Sequence, residues 1–254
     1  MLSKNQIKLI KSLETKKNRK REGLFVAEGP KVVGDLLRAG YQPHSIFCTQ
    51  LSTINYQQPT IITDDELHRI SFLQHPQEVL ALFRIPANKP LAIGDWQLAL
   101  ALDGVQDPGN VGTIIRIADW FGITRIYCSP DTADVYNPKV VQATMGSLAH
   151  VTITYCDLVP LLREAEVPVY GTLLDGQDIY QQPLSDKGII VMGNEGNGIS
   201  PEVRQLISHK LFIPNFNKNA ETAESLNVAI ATAITCSEFR RLQRHTLPQG
   251  QRRF

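Results

Sequence analysis

Short apolar runs alternate along the chain with segments whose apolar residues recur at helical spacing. In the longer, C-terminal part the runs at 97–102, 125–128, 151–155, 169–174, 189–192 and 211–213 read as strands. Between them the patterns at 111–121, 138–148, 159–164 and 201–207 read as helices. Strands and helices in strict alternation predict an α/β domain whose parallel sheet is covered on both faces. A last helix follows Ser225, with Leu226, Ala229, Ile230, Ala233 and Ile234 at helical spacing and Ser225 placed to cap it.

Nearer the N-terminus, Ile7, Leu9, Ile10 and Leu13 make a short amphipathic helix whose other face is a lysine series. Residues 25–29 form a strand ending in a turn, and Pro30 opens a helix that runs through Val32, Val33, Leu36 and Leu37 to Gly40. Strands at 45–48, 60–62 and 79–85, with a helix after Thr63, complete a small α/β unit. The polar, proline-punctuated stretch after Ile85 then places a linker at 86–93. One domain occupies 1–85, a second 94–245, and a tail 246–254.

Composition narrows the partners. With 254 residues, 43% hydrophobic and 20% charged, the sequence holds enough apolar material for two modest cores. No run approaches the roughly 20 residues that span a bilayer, and residues 1–5 lack the apolar core of a signal peptide, so a cytoplasmic protein is expected. Cys48, Cys128, Cys156 and Cys236 are scattered without metal-ligand spacing and read as buried thiols, which predicts no metal. Net charge is only +1, but the bases are uneven. Lys4, Lys8, Lys11, Lys16, Lys17, Arg19, Lys20 and Arg21 crowd one end, and Arg240, Arg241, Arg244, Arg252 and Arg253 the other. A solvated helix face explains such runs, and so do contacts to phosphate.

The apolar run at 189–192 ends in Gly193-Asn194-Glu195-Gly196-Asn197-Gly198, a turn whose backbone can come close to a flat ligand. Pro201 stands where a dinucleotide fingerprint needs its third glycine, and no Lys-Ser/Thr follows, so nucleotide phosphate is a poor match. Two more stretches share the register of this turn. Asn110-x-Gly112-x-x-x-Arg116 precedes it, and Ile213-Pro214 with Ser225-Leu226-Asn227-Val228 follows. Together the three stretches resemble the signature motifs of the SpoU (TrmH-like) RNA 2′-O-ribose methyltransferases of the SPOUT superfamily. The sequence departs from that pattern between Pro214 and Ser225, where residues 215–224 are rich in Asn and Glu and lack a glycine soon after the proline. Basic residues leading into Phe25-Val26-Ala27-Glu28-Gly29-Pro30 are similar to the L30e-like substrate-binding domain that precedes many SpoU catalytic domains.

The resemblance implies a deep C-terminal trefoil knot, S-adenosylmethionine as cofactor, structured RNA as substrate with ribosomal RNA favoured over transfer RNA, and a homodimer. It implies cofactor contacts at Leu173 or its neighbour Leu174, Gly193, Gly198, Ile213 and Leu226. The catalytic set becomes Asn110, Arg116, Glu195, Ser225 and Asn227. A guanidinium stays protonated at neutral pH, so Arg116 is expected to grip phosphate and stabilise developing alkoxide charge, unless it pairs with Asp119 on its own helix. Asn110 is expected to cap the helix from Val111 and orient Arg116, and Glu195 to hold its neighbours. Glu28 reads as a helix-entry carboxylate or an RNA contact. The stripe Val111, Ile114, Ile115, Ala118 and Phe121 is either core or a two-fold interface. The competing reading is a non-catalytic RNA-binding protein with the same fold.

Overall fold

The computed structural model describes residues 2–50, 59–87, 97–217 and 225–246, the last five without their side chains. Its contacts divide it into two compact units, Met1–Asn88 with Asp134–His150, and Lys89–Ala133 with Val151–Phe254.

The first unit begins with two helices where the sequence pattern suggests one. Ser3 caps α1 (Lys4–Ser12) through a reciprocal bond with Gln6, and Thr15 caps α2 (Lys16–Glu22). The strands β1 (Leu24–Glu28), β2 (Pro43–Cys48), β3 (Thr60–Ile61) and β4 (Val79–Arg84) form a sheet in the order β1-β4-β2-β3. β4 runs antiparallel to both β1 and β2. All five residues of β1 are buried, because the sheet is covered on both faces. Ile10 and Leu13, with Leu67 and Ile70 of α4 (Asp64–Ile70), pack over Leu24, Val26, Phe47 and Leu82. Meanwhile α3 (Pro30–Arg38) buries Val32, Val33 and Leu36, and Phe25 stacks on Phe83 with ring centroids 5.7 Å apart.

Two residues of this unit depart from what the sequence predicts. Arg19 does not join the solvent-facing bases: it is 2% exposed and donates to Asp134 at 2.6 and 3.0 Å and to the carbonyls of Leu13 and Glu14 at 2.8 and 2.7 Å. Four of its five N–H donors are satisfied in this way, which lets the guanidinium stay buried. Glu28 is not a helix-entry carboxylate either. Gly29 occupies the cap of α3 without a side-chain bond, while Glu28 turns inward, 5% exposed, to accept from the Ser71 hydroxyl and from the Phe72 N–H at 2.8 Å.

In the second unit β5 (Leu98–Asp103), α5 (Pro108–Trp120) and β6 (Arg125–Cys128) follow one another. The chain then passes through α6 (Pro138–Ala143), which groups with the first unit. The helix expected over 138–148 breaks there, because Met145 at φ 52° and Gly146 at φ 99° turn the backbone left-handed before a single 3-10 turn at Ser147–Ala149. Returning, the chain makes β7 (Thr152–Tyr155), α7 (Leu158–Arg163), β8 (Val169–Asp178), β9 (Gly188–Gly193), α8 (Pro201–Arg204), β10 (His209–Phe212) and α9 (Val228–Thr246). The six strands form one sheet in the order β10-β8-β9-β5-β6-β7, every pair parallel. Ala99, Ala101, Ile189 and Val191 face α7 and α8 through Leu158, Leu161, Leu162 and Val203. On the opposite face α9 lies against α5 and β9, and Phe239 meets the Tyr170 ring edge-on at 4.8 Å.

β8 outruns its expected end at 174. β10 pairs with Tyr170 and Gly171, then with Gln177 and Asp178, which leaves residues 172–176 out of the ladder and Leu174 73% exposed at their centre. The apolar stripe of α5 is core: Val111, Ile114, Ile115 and Ala118 are fully buried within the chain.

Candidate functional site

The site is built at the point where the sheet's winding reverses. β5 lies between β9 and β6, and the connections leaving β5 and β9 travel to opposite faces, into α5 and α8. Their C-terminal ends sit side by side, Asp103 opposite Gly193. In open α/β sheets such a crevice beyond the carboxyl ends of the strands is where ligands bind.

Polar bonds lace the two loops together. The Asp103 carboxylate accepts from Ser200 N–H at 2.7 Å, and the Asn194 amide donates to the Gly104 carbonyl at 2.6 Å. The Asn194 side-chain oxygen also accepts from the N–H groups of Gly196 and Asn197 at 2.9 and 3.0 Å, closing the glycine turn over itself. Within that turn Gly193 has no room for a side chain, since a Cβ there would stand 2.4 Å from the Gly198 carbonyl carbon. Gly198 takes φ 68° with open space beside it. Asn194 organises this turn although the sequence motifs assign it no role, and an Asn directly after a strand-ending glycine is the local signal for it.

Glu195 reaches across to the motif before α5. It accepts from the Asn110 side-chain amide at 2.9 Å and from the backbone N–H groups of Gln106 and Asp107 at 3.3 and 3.4 Å. Partial burial pushes its carboxyl up, but these donors outweigh it and hold the group below the ordinary glutamate value of 4.5. Asn110 in turn accepts from the Asn227 amide at 2.9 Å. Glu195, Asn110 and Asn227, one from each sequence motif, therefore form a single chain of hydrogen bonds.

Two capping assignments change. Asp107, not Asn110, caps α5, accepting from Asn110 N–H at 2.8 Å; Asn110 sits in the first turn with its side chain free to bridge. Asn227, not Ser225, caps α9, its side-chain oxygen accepting from Ala229 and Ile230 N–H at 2.9 and 3.3 Å. Ser225 stands exposed two residues before it.

Arg116 is not brought into this chain of bonds. It projects from α5 on an exposed stripe with Gly109, Thr113 and Trp120, and among the described residues no hydrogen bond or ion pair holds it, Asp119 included. Of the residues expected at a cofactor, Gly193 and Gly198 shape the turn, Ile213 is half-buried just past β10, and Leu226 is 50% exposed ahead of α9. Leu173 is half-buried and packs towards the core, beside the β9 end where Thr172 donates to the Met192 sulfur at 3.6 Å. Apolar side chains and a glycine turn with no Lys-Ser/Thr after it fit an adenosyl group better than a pyrophosphate.

Two of the C-terminal arginines are tied internally. Arg240 donates to the carbonyls of Phe121 and Gly122 at 2.7 and 3.1 Å, and Arg241 pairs with Glu238 at 2.6 Å, so neither is a free phosphate contact. The Arg244 side chain and Arg252 and Arg253 lie outside the described residues. Three of the four cysteines are buried, and the Cys236 thiol is pushed up to about 12 by desolvation. Among the described residues no cluster of His, Cys, Asp and Glu could hold a metal ion, and no helix is long and apolar enough to cross a membrane.

Comparison with known proteins agrees with this geometry. Residues 97–237 match the SpoU rRNA Methylase family and residues 4–81 the MRM3-like substrate binding domain. The 23S rRNA (guanosine(2553)-2′-O)-methyltransferase RlmP of Bacillus subtilis is 32% identical over 248 residues, covering 94% of this chain and 97% of that one. The AdoMet-bound rRNA methyltransferase from Sinorhizobium meliloti superposes with a TM-score of 0.84 at 31% identity, over 98% of this chain and 97% of its own. A TrmH-family protein from Porphyromonas gingivalis gives a TM-score of 0.86 at 44% identity, over 95% and 99% of the two chains. Three motifs meeting at one switch point, on this sheet and with these relatives, lead to one conclusion: the chain belongs to the SpoU rRNA Methylase family.

Proposed function

We propose that this S-adenosylmethionine-dependent enzyme methylates a ribose 2′-hydroxyl of 23S ribosomal RNA in the cytoplasm. The observation that carries the reading is the hydrogen-bonded chain Glu195-Asn110-Asn227, which ties all three motifs to the crevice beyond β5 and β9. S-adenosylmethionine, when bound, supplies a methyl group on a cationic sulfur and is already activated. Gly193, Gly198, Ile213, Leu226 and Leu173 are the residues that would hold it.

What remains for the protein is alignment and charge. Alignment of two reactants can contribute about 7 to 11 kcal/mol, so rigid placement outweighs proton chemistry here. Glu195 is a weak base because its donors stabilise the ionised form, and it acts as the anchor that fixes Asn110 and, through it, the start of α9. Ser225, exposed at that start, orients the ribose. Arg116 brings a permanent positive charge to the adjacent phosphate and to the alkoxide character that develops as the hydroxyl gives up its proton to water and its oxygen takes the methyl group.

Arg116 stands apart from the Glu195 chain, which favours a homodimer in which one protomer's Arg116 completes the other's site. The buried α5 stripe cannot form that interface; Trp120 at 85% and Ile230 at 52% exposure supply apolar surface on α5 and α9. The proposal includes the C-terminal trefoil knot, and it divides the chain into an RNA-binding domain at 1–85, a linker at 86–93 and a catalytic domain at 94–245. Residues 88–93 of that linker, most of the 246–254 tail and residues 218–224 of the Asn-rich loop lie outside the described residues.

The test is methyl transfer from labelled S-adenosylmethionine into ribosomal and transfer RNA from cells lacking this protein, followed by mapping. Label at a single 23S ribose is the expected result. Label confined to transfer RNA overturns the substrate, and cofactor binding without any transfer favours the non-catalytic RNA-binding alternative.

A further inference from the structure

The first unit holds a cavity of about 300 Å³ that the proposed methyl transfer does not use. Val26, Phe72 and Val141 give it apolar walls, and Glu28, Gln142 and Lys139 its polar groups, all within that one unit. Its volume is at the lower end for small-ligand sites, where one aromatic ring system fits and a larger ligand does not.

The chemistry of the walls is specific. Glu28 is buried, and each of its oxygens accepts one hydrogen bond, from Ser71 on one side and from Phe72 N–H on the other. A carboxylate oxygen has two acceptor sites, so each keeps one for a further donor. Gln142 is half-buried, and among the described residues its amide has no hydrogen-bond partner, so it offers both a donor and an acceptor. Lys139 is exposed, and among the described residues no carboxylate neutralises it. The cavity thus has apolar walls, a buried carboxylate among its lining residues and an exposed lysine.

We propose that this cavity receives one unpaired nucleobase of the RNA substrate, guanine in preference to the other three, with Lys139 on the neighbouring phosphate. Guanine presents two adjacent donors, N1–H and the 2-amino group, and is the one base whose Watson–Crick edge matches two free carboxylate acceptor sites. Adenine and cytosine present a single amino donor beside an acceptor, which would face the carboxylate unfavourably. Uracil has one donor between two carbonyls. Sequence-specific RNA recognition favours such splayed-out bases because a helical stem hides its base edges. The inference rests on the proposed RNA substrate and adds a reading site within the first unit.

The test is binding of the full chain to five labelled pentaribonucleotides, UUXUU, where X is G, A, C, U or an abasic ribose. The G oligonucleotide should bind roughly tenfold tighter than the abasic one, the size expected of one good base contact. Gln142→Trp, which fills the cavity from a half-buried position, should erase that margin, and Lys139→Ala should weaken all five together. Glu28→Gln, a near-isosteric change, should cut the preference for G over A. Equal affinity for the G and abasic oligonucleotides, or a margin that survives Gln142→Trp, overturns the proposal. Cofactor affinity and methyl transfer to ribosomal RNA are measured on the same variants. A pocket failure leaves the wild-type transfer reaction intact, whereas failure of the proposed function removes transfer from the wild type itself.

Discussion

Two Glu-Gly pairs follow strands in this protein, Glu28-Gly29 at the end of β1 and Glu195-Gly196 just past β9, and the same residue type does opposite work in them. Glu28 faces inward under a four-stranded sheet; desolvation raises its pKa, and Ser71, Phe72 N–H and Lys11 only partly offset that. Glu195 lies just beyond the carboxyl end of the interior strand β9, where desolvation raises its pKa but its donors lower it by more. The difference teaches that the number of donors relative to water lost, more than sequence context, decides whether the pKa of a carboxylate after a strand rises or falls.

The strongest test concerns the exposed edge. Arg116→Ala should lower turnover by about 10² to 10³, the cost of losing a transition-state charge partner, with the thermal midpoint unchanged because the side chain is exposed and no described residue pairs with it. Single-turnover methyl transfer beside thermal unfolding checks both halves; near-normal transfer removes Arg116 from the mechanism.

Glu28→Ala should show the reverse. It strands the buried Ser71 hydroxyl and the Phe72 N–H, at about 1 to 3 kcal/mol for each unsatisfied group. Urea unfolding followed by a probe in the first unit should shift accordingly, while cofactor affinity stays put. A shift no larger than that of a surface substitution would erase the contrast between the two carboxylates.

Asn227→Ala joins the two kinds of effect. Removing the α9 cap should cost about 1 kcal/mol of stability, and breaking the Asn110 link should abolish transfer while the fold survives. An active Asn227→Ala variant would mean that the Glu195-Asn110 bond suffices to align the site.

The smallest effect is in pH. Glu195 titrates below 4.5 in the folded protein, so its stabilisation is complete above that value and is lost as pH falls through the lowered pKa. Glu28 titrates above 4.5, so the fold binds its proton more readily than the unfolded chain, and stability rises as pH falls through the raised pKa towards 4.5. Carbon-13 shifts of the two carboxyls should show inflections on opposite sides of 4.5. Both on one side would break the comparison.

Much of this was legible without coordinates. Alternating apolar runs and helical patterns specified a parallel sheet covered on both faces, because the periods of strand and helix differ and a strand buried on both faces is apolar throughout. Resemblance to the family's three motifs marked Asn110, Glu195 and Asn227. Tertiary structure alone decided which of their atoms meet: three residues 85 and 117 positions apart in the chain are joined only because β5 and β9 are neighbours and α9 lies against α5. It also decided burial. Arg19 and Lys20 look alike in a basic run, yet Arg19 points inward to Asp134, a partner 115 residues away, and no local pattern encodes a contact made across such a distance.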